Sequence, residues 1–304
     1  FHITKGYLMN IINGETIQKT RIRGRKKFSN TQKRLIFRGI FAFAFVMIFV
    51  FAPFITDKDP NKFNLRDRTT PPGAVLQDGS ISILGTDQIG RDMLTRILYG
   101  GRLSLFIAFS AVAVAGVSGT ILGLLSGYFG GFFDDAIMRI GDIQLAFPPI
   151  LLALAITSVI GPSVTNIIIT LGITRWVSYA RLVRGNVLSA REDDYVLAAK
   201  NYGARAWKII IKHILPNVMT PVIILASLHV GQMIIYESAL SFLGLGIQPP
   251  TASWGGMISD GREYLNTAWW ITTFSGGAIA MTVMILGYLG DAIRDALDPL
   301  FTEY

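Results

Sequence analysis

The chain has 304 residues, of which 51% are apolar and only 16% charged, and its mean hydropathy is +0.46. Ordinary soluble domains carry about 25% charged residues, so this composition excludes a soluble globular protein and points to an integral membrane one. A net charge of +8 would suggest nucleic acid in a soluble chain, but in a membrane protein the placement of Lys and Arg carries the information, and no nucleic-acid partner is expected.

A helix that crosses a bilayer needs about 20 mostly apolar residues. Residues 1–38 are too basic for that, with ten Lys or Arg against the single acid Glu15. They contain no short apolar stretch followed by a small-residue cleavage site, so a topology-setting tail is expected rather than a signal peptide. The basic cluster at 21–27 offers a surface for anionic membrane lipid. The first span is expected over 39–56. Residues 57–98 follow as a loop with balanced charge and the turn residues Pro71, Pro72 and Gly73, which suggests a small folded region. The second span, 103–133, contains no Asp, Glu, Lys or Arg and breaks at Gly127, Gly130 and Gly131. A third, 136–160, carries Arg139 and Asp142 in its first turns and Pro148–Pro149 near its middle. Gly161–Pro162 turns the chain. A fourth covers 164–188, interrupted by Arg175, Arg181 and Arg184. The fifth covers 216–243 and the sixth 266–290, with Trp269, Trp270 and Tyr288 placed for the aromatic belts. Residues 99–290 thus form a five-helix core, and 291–304 a short C-terminal tail.

Six spans sort the cations. The tail, the eight Lys or Arg between 175 and 212, Arg139 and Arg294 together place twenty of the 28 on one side. Cytoplasmic loops carry that excess, so both termini and the 189–213 loop are expected in the cytoplasm.

Much chemistry is missing. The chain has no Gly-x-x-x-x-Gly-Lys-Ser/Thr loop for ATP and no Gly-x-Ser-x-Gly turn. Without cysteine there are no disulfides or thiolate sites, and three scattered histidines make no metal site, so no metal, cofactor or catalytic residue is expected. What the chain offers is architectural. Ala111, Ala115, Gly119, Gly123 and Gly127 stand at every fourth position of the second span, a smooth stripe that lets another helix backbone approach closely. In the 189–213 loop, Ser189 and Glu192 have the spacing of a capping box, and Asp193 and Asp194 suit a first helical turn. Tyr195 to Tyr202 continue that helix, Gly203 ends it, and a second helical stretch over 204–213 leads to Pro216. Ala198 and Ala199 beside larger apolar groups make a surface on which a partner packs closely.

The stretch DYVLAAKNYGARAWKIIIKHILPN, residues 194–217, resembles the EAA loop of binding-protein-dependent ABC importer permeases. Ala198, Ala199, Gly203, Leu215 and Pro216 fall at matching positions. Leu197 stands where that pattern has Glu, and His213 where it has Ile; both departures resemble the dipeptide/oligopeptide branch. LGTDQIGRD at 84–92, ESALSFLGLGIQPPTASWG at 237–255 and GDAIRDALDP at 290–299 resemble the same branch. The resemblance implies a six-helix, all-α permease of the type I ABC importer kind, the C-type transmembrane subunit, in a prokaryotic cell membrane. It implies a homologous second permease, two cytoplasmic ATPases that hold ATP and Mg, and an extracytoplasmic binding protein that delivers a peptide. Nickel, glutathione and oligosaccharide importers share the architecture. It also implies that Asp194, Tyr195, Leu197, Ala198, Ala199, Gly203 and Ala204 meet an ATPase.

Glu237 is the only acid between Asp194 and Asp260, near the outer end of the fifth span. An ionisable group there holds a peptide's α-amino group, shapes the outer gate, or sits at the interface and bonds to the irregular backbone of 244–250. Gly244, Gly246, Pro249 and Pro250 cannot continue a straight helix, which favours the last role. An ATP-independent transporter would need acids or histidines inside several spans, and only Asp142 and Glu237 are candidates.

Overall fold

The computed structural model describes residues 30–297; the basic cluster at 21–27 and the chain from 298 onward lie outside the described residues. The elements are α1 (Asn30–Val50), the single turn α2 (Ala52–Ile55), α3 (Met93–Phe129), α4 (Gly131–Leu145), α5 (Pro149–Ile160), α6 (Val164–Ala190), α7 (Asp194–Asn201), α8 (Ala206–Phe242), α9 (Trp254–Gly261) and α10 (Trp270–Leu297). Among the described residues the fold is all-helical. Helices α3, α8 and α10 are each long and apolar enough to cross a membrane, and the bent pair α4–α5 makes a fourth. The apolar part of α1, Leu35–Val50, is shorter, and α6 carries its three arginines.

Two boundaries differ from expectation. Helix α3 starts at Met93, inside the expected loop, because Asp92 caps it by accepting the Thr95 N–H at 3.0 Å and the Thr95 hydroxyl at 2.9 Å. Helix α8 begins at Ala206, so the loop's second helical stretch and the fifth span are one helix. A π-turn at Ile210–Ile214 lets that happen: Leu215 N–H bonds back to Ile210. The wider turn relieves the clash that Pro216 makes with the carbonyl four residues before it.

The third span is not a straight helix. α4 and α5 meet at 93°. Pro148 and Pro149 supply no N–H to α4, and a residue preceding proline avoids helical geometry, so the chain turns a corner at 146–148.

The tightest joint is between α3 and α6. Ala111, Ala115, Gly119, Gly123 and Gly127 are all buried. A Cβ added at Gly123 would lie 2.5 Å from the Ala180 carbonyl oxygen, and one at Gly127 would lie 2.8 Å from Val187 Cβ. One at Gly119 would strike Trp176 O. Because 119, 123 and 127 meet 176, 180 and 187 in ascending order, the two helices run parallel. The bent α4–α5 segment brings the chain back between them. One apolar cluster gathers around Met93, Leu105, Trp254 and Ile271 at the end where α3 begins. A second runs from Ala115 and Tyr179 through Val187 to Val196 and Ile210.

The stripe is therefore an internal joint of this chain. Gly123→Leu overpacks it, and overpacking costs about 1–3 kcal/mol. Gly123→Leu should lower the melting temperature of the purified chain in detergent, whereas Val117→Leu, at a position 62% exposed, should not. Equal melting of Gly123→Leu and wild type would mean that the two backbones do not meet.

Candidate functional site: the α7 platform and the Glu237 clasp

Burial decides where α6 stops. Val187 and Ala190 belong to the second apolar cluster, which draws helical geometry through Ala190. Ser189 consequently sits inside the last turn of α6 and caps nothing, contrary to the capping-box expectation. The chain then folds tightly, with Glu192 N–H donating to Ser189 O at 3.1 Å and Asp193 N–H to Ala190 O at 3.2 Å. Asp193 is the residue that precedes α7; its side chain makes no capping bond. Asp194 adds negative charge to the first turn, where the helix dipole favours it.

Helix α7 closes with a Schellman motif. Ala204 N–H donates to Ala199 O at 3.1 Å and Gly203 N–H to Lys200 O at 3.0 Å, with Gly203 at φ +76°. That left-handed conformation is the reason a glycine stands there. Val196 is buried against Ile209, Ile210 and Ile214, and Ala199 and Ala204 pack partly against the same cluster. Asn217 Nδ2 donates to the Tyr195 hydroxyl at 2.6 Å, so the end of the 194–217 stretch folds back onto its beginning.

The inward face is Val196 and Ala199; the outward face stays open. Leu197 is 39% exposed, Tyr202 91% and Trp207 60%, with Ala198, Asp194 and Tyr195 exposed beside them. These exposed apolar side chains are interleaved in sequence with the exposed cations Lys200, Arg205 and Lys208.

Charged groups lash this platform to the helices behind it. Arg191 Nη1 donates to Gly127 O at 3.3 Å, at the end of the small-residue stripe. Arg184 grips Asp134 with Nε at 2.5 Å and Nη2 at 2.6 Å, joining α6 to α4. Arg181, three residues earlier in α6, pairs with Asp142, eight residues later in α4.

Glu237 lies in α8 and is fully buried. Its carboxylate accepts from Ser104 Oγ at 2.9 Å, Ser241 Oγ at 2.9 Å and Ser238 Oγ at 3.4 Å. Ser241 Oγ in turn accepts the Ile247 N–H at 3.2 Å. The bonds to irregular backbone run through a serine rather than directly. Ser104 comes from α3, so this acid clasps α3, α8 and the bent 244–250 segment together, enclosed by hydroxyls.

A second polar knot was visible in the sequence only as part of the 84–92 motif. Asp87, Arg91 and Arg96 are all buried. Arg91 Nε reaches Asp87 Oδ2 at 2.5 Å, Arg96 Nε approaches the same oxygen at 3.5 Å, and Arg91 Nη2 reaches Asp260 at 3.5 Å. This folds the 57–92 region onto the end of α9. The four-residue spacing of Asp87 and Arg91 hinted at the pair; Asp260, 169 residues away, gave no local signal.

Comparison with known proteins gives a consistent result. Residues 119–303 match the family model described as a binding-protein-dependent transport system inner membrane component. The chain is 44% identical to the dipeptide transport system permease protein of Alkalihalophilus pseudofirmus, over 84% of this chain and 82% of that one. It is 41% identical to a probable D,D-dipeptide transport system permease protein of Escherichia coli, over 84% and 83%. With the glutathione transport system permease protein of Pectobacterium atrosepticum it shares 39% identity, over 86% and 85%. Among solved structures, the inward-facing MetNI methionine ABC transporter contains a chain of like fold, with TM-score 0.53 and 18% identity, covering 68% of this chain and 98% of that one.

Removing the clasp tests the role of Glu237. Glu237→Ala leaves the Ser104 and Ser241 hydroxyls buried without their acceptor, at about 1–3 kcal/mol for each group. Its melting temperature should fall and hydrogen exchange at the Ile247 amide should accelerate, while Glu237→Gln, which keeps an acceptor oxygen, should lose less. A wild-type melt with Ile247 still protected in Glu237→Ala would show that the clasp does not hold the segment.

Proposed function

The chain belongs to the inner-membrane components of binding-protein-dependent transport systems, and from that premise we propose that it is a permease subunit through which an ATP-driven importer passes peptides. The chain is a multi-pass membrane permease with apolar helices. In this reading it pairs with a homologous second permease, receives peptides from an extracytoplasmic binding protein, and borrows energy from two cytoplasmic ATPases that hold ATP and Mg. Both of its termini lie in the cytoplasm, as the arginine and lysine placement supports.

The observation that carries the reading is the open face of α7. The helix is held on its inner side by Val196 and by the Gly203 turn, and it leaves Leu197, Ala198 and Tyr202 exposed within the 175–212 segment, which carries eight Lys or Arg. A permease without a nucleotide loop needs such a surface, because force from a partner has to enter through a stiff contact. Leu197 makes that contact apolar, and the alanine beside it lets the partner approach the helix backbone. The peptide substrate is supported by the relatives named for dipeptide transport; glutathione is itself a tripeptide, so the Pectobacterium relative agrees with a small-peptide class.

Ala198 is the best place to test the contact, because it is exposed in this chain whereas Ala199 also packs inward. Ala198→Arg should leave the melting temperature of the isolated chain unchanged but weaken ATPase association tenfold or more, since an unpaired charge is costly to bury. Leu197→Ala should cost about 1–2 kcal/mol of association. Co-purification of the ATPases with each variant and peptide-stimulated hydrolysis in proteoliposomes are the measurements. Wild-type association of Ala198→Arg would remove α7 from the ATPase contact.

A further inference from the structure

Arg175 is a cation at mid-depth with no counter-ion among the described residues. It lies eleven residues into α6 from Val164. At 1.5 Å per residue that is about 16 Å from the helix end, near the middle of a hydrocarbon core about 30 Å thick. No carboxylate pairs with it among the described residues. Two acids on neighbouring helices are engaged elsewhere: Asp142 by Arg181, and Glu237 by its serines. The Tyr236 ring lies under the guanidinium, with Cζ 4.9 Å from its centroid, and the Tyr236 hydroxyl accepts from Nη2. Nε is buried with no partner, as are the hydroxyl of Tyr179, one turn along α6, and Nδ1 of His229, which packs edge-on against Tyr179.

A half-buried arginine at this depth has no stable place against lipid and faces either a protein partner or water. The broken span says which. Gln144, just before the α4–α5 corner, donates to Ile173 O at 2.9 Å and accepts from Trp176 Nε1 at 2.8 Å, so the corner stands level with Arg175. Irregular backbone at bilayer depth is tolerated where it is buried in protein or lines a water-filled cavity, and broken helices mark midplane sites in transporters. Tyr236 holds the guanidinium by its ring face and by the bond from Nη2, Nε is buried, and Nη1 is left without a protein acceptor among the described residues, so that one charge-assisted bond to a carboxylate stays available.

We propose that Arg175 lines the translocation route and serves as a transient counter-ion for the C-terminal carboxylate of the passing peptide. This rests on the peptide-permease reading above and adds to it that the membrane part itself reads the peptide's free carboxyl group. The aromatic support keeps the cation in place without neutralising it, so the carboxylate is attracted but also released, as passage requires.

The chain has no cysteine, so Ser178→Cys, one turn from Arg175 and half-buried, reports on this spot in the assembled importer in proteoliposomes. A small anionic methanethiosulfonate should label it about tenfold faster than a cationic one of similar size, because the local potential concentrates anions. Adding Arg175→Gln should abolish that preference. With Ser178 native, Arg175→Gln should import peptide at about a tenth of the wild-type rate or less, with Arg175→Lys recovering part of the loss, because the point charge remains while the fork is gone. Three results would overturn the proposal: Ser178→Cys inert to both reagents, Arg175→Gln importing at the wild-type rate, or Arg175→Gln failing to assemble with its partner permease. The last would assign the counter-ion to an acid of that partner. If the wild-type complex imports no peptide at all, the permease reading fails and this proposal with it; if wild type imports and Arg175→Gln matches it, the proposal alone fails.

Discussion

The contact on which the rest of the molecule depends is the backbone-to-backbone approach of α3 and α6. In a bilayer the lipid chains are as apolar as leucine, so burying apolar side chains does not by itself draw two helices together. Close packing does, and it needs surfaces without side chains in the way. Gly119, Gly123 and Gly127 supply that surface on α3, and Trp176, Ala180, Val183 and Val187 fit over it from α6. Each glycine stands so near its neighbour that even a methyl group would have to displace backbone or a branched side chain.

Two parallel helices cannot be joined by a short turn, so the chain between them has to return across the membrane. It does so as the broken α4–α5 segment, and the break leaves irregular backbone beside Arg175. At the other end of the joint, Arg191 ties the turn after α6 to the carbonyl of Gly127, and the apolar cluster continues without interruption into Val196 of α7 and Ile210 of α8. The α7 platform and the joint that organises the membrane part are thus one packed body. Glu237 and the Asp87–Arg91–Asp260 knot perform the corresponding task at the far end, where the connecting segments are irregular and hydrogen bonds replace helix packing.

Much of this was legible in the residues. Apolar length marks the helical segments, the four-residue spacing of small residues marks the joint, and Gly203 announces the end of α7, because each of these signals is local. What the sequence did not carry is where distant parts meet. Ser189 has the right neighbours for a cap, yet burial of Ala190 keeps it inside α6. Pro148 and Pro149 announce a break, but nothing local to them announces an angle of 93°. The serines around Glu237 come from α3 and α8, 133 residues apart for Ser104, and no pattern in either helix links them. Pro216 looks like a helix start by its neighbours, and only the π-turn before it shows that the helix runs through.

The central claim is that α3, α6 and α7 move as one body when the importer works. Spin labels at Ile121→Cys on α3 and Asn201→Cys on α7, both exposed positions, allow the distance between them to be measured in the assembled complex by double electron–electron resonance. The account predicts the same narrow distance distribution with and without ATP bound to the partner subunits. A change approaching one helical turn, about 5.4 Å, would mean that α7 hinges at Arg191 and that the glycine joint does not carry it.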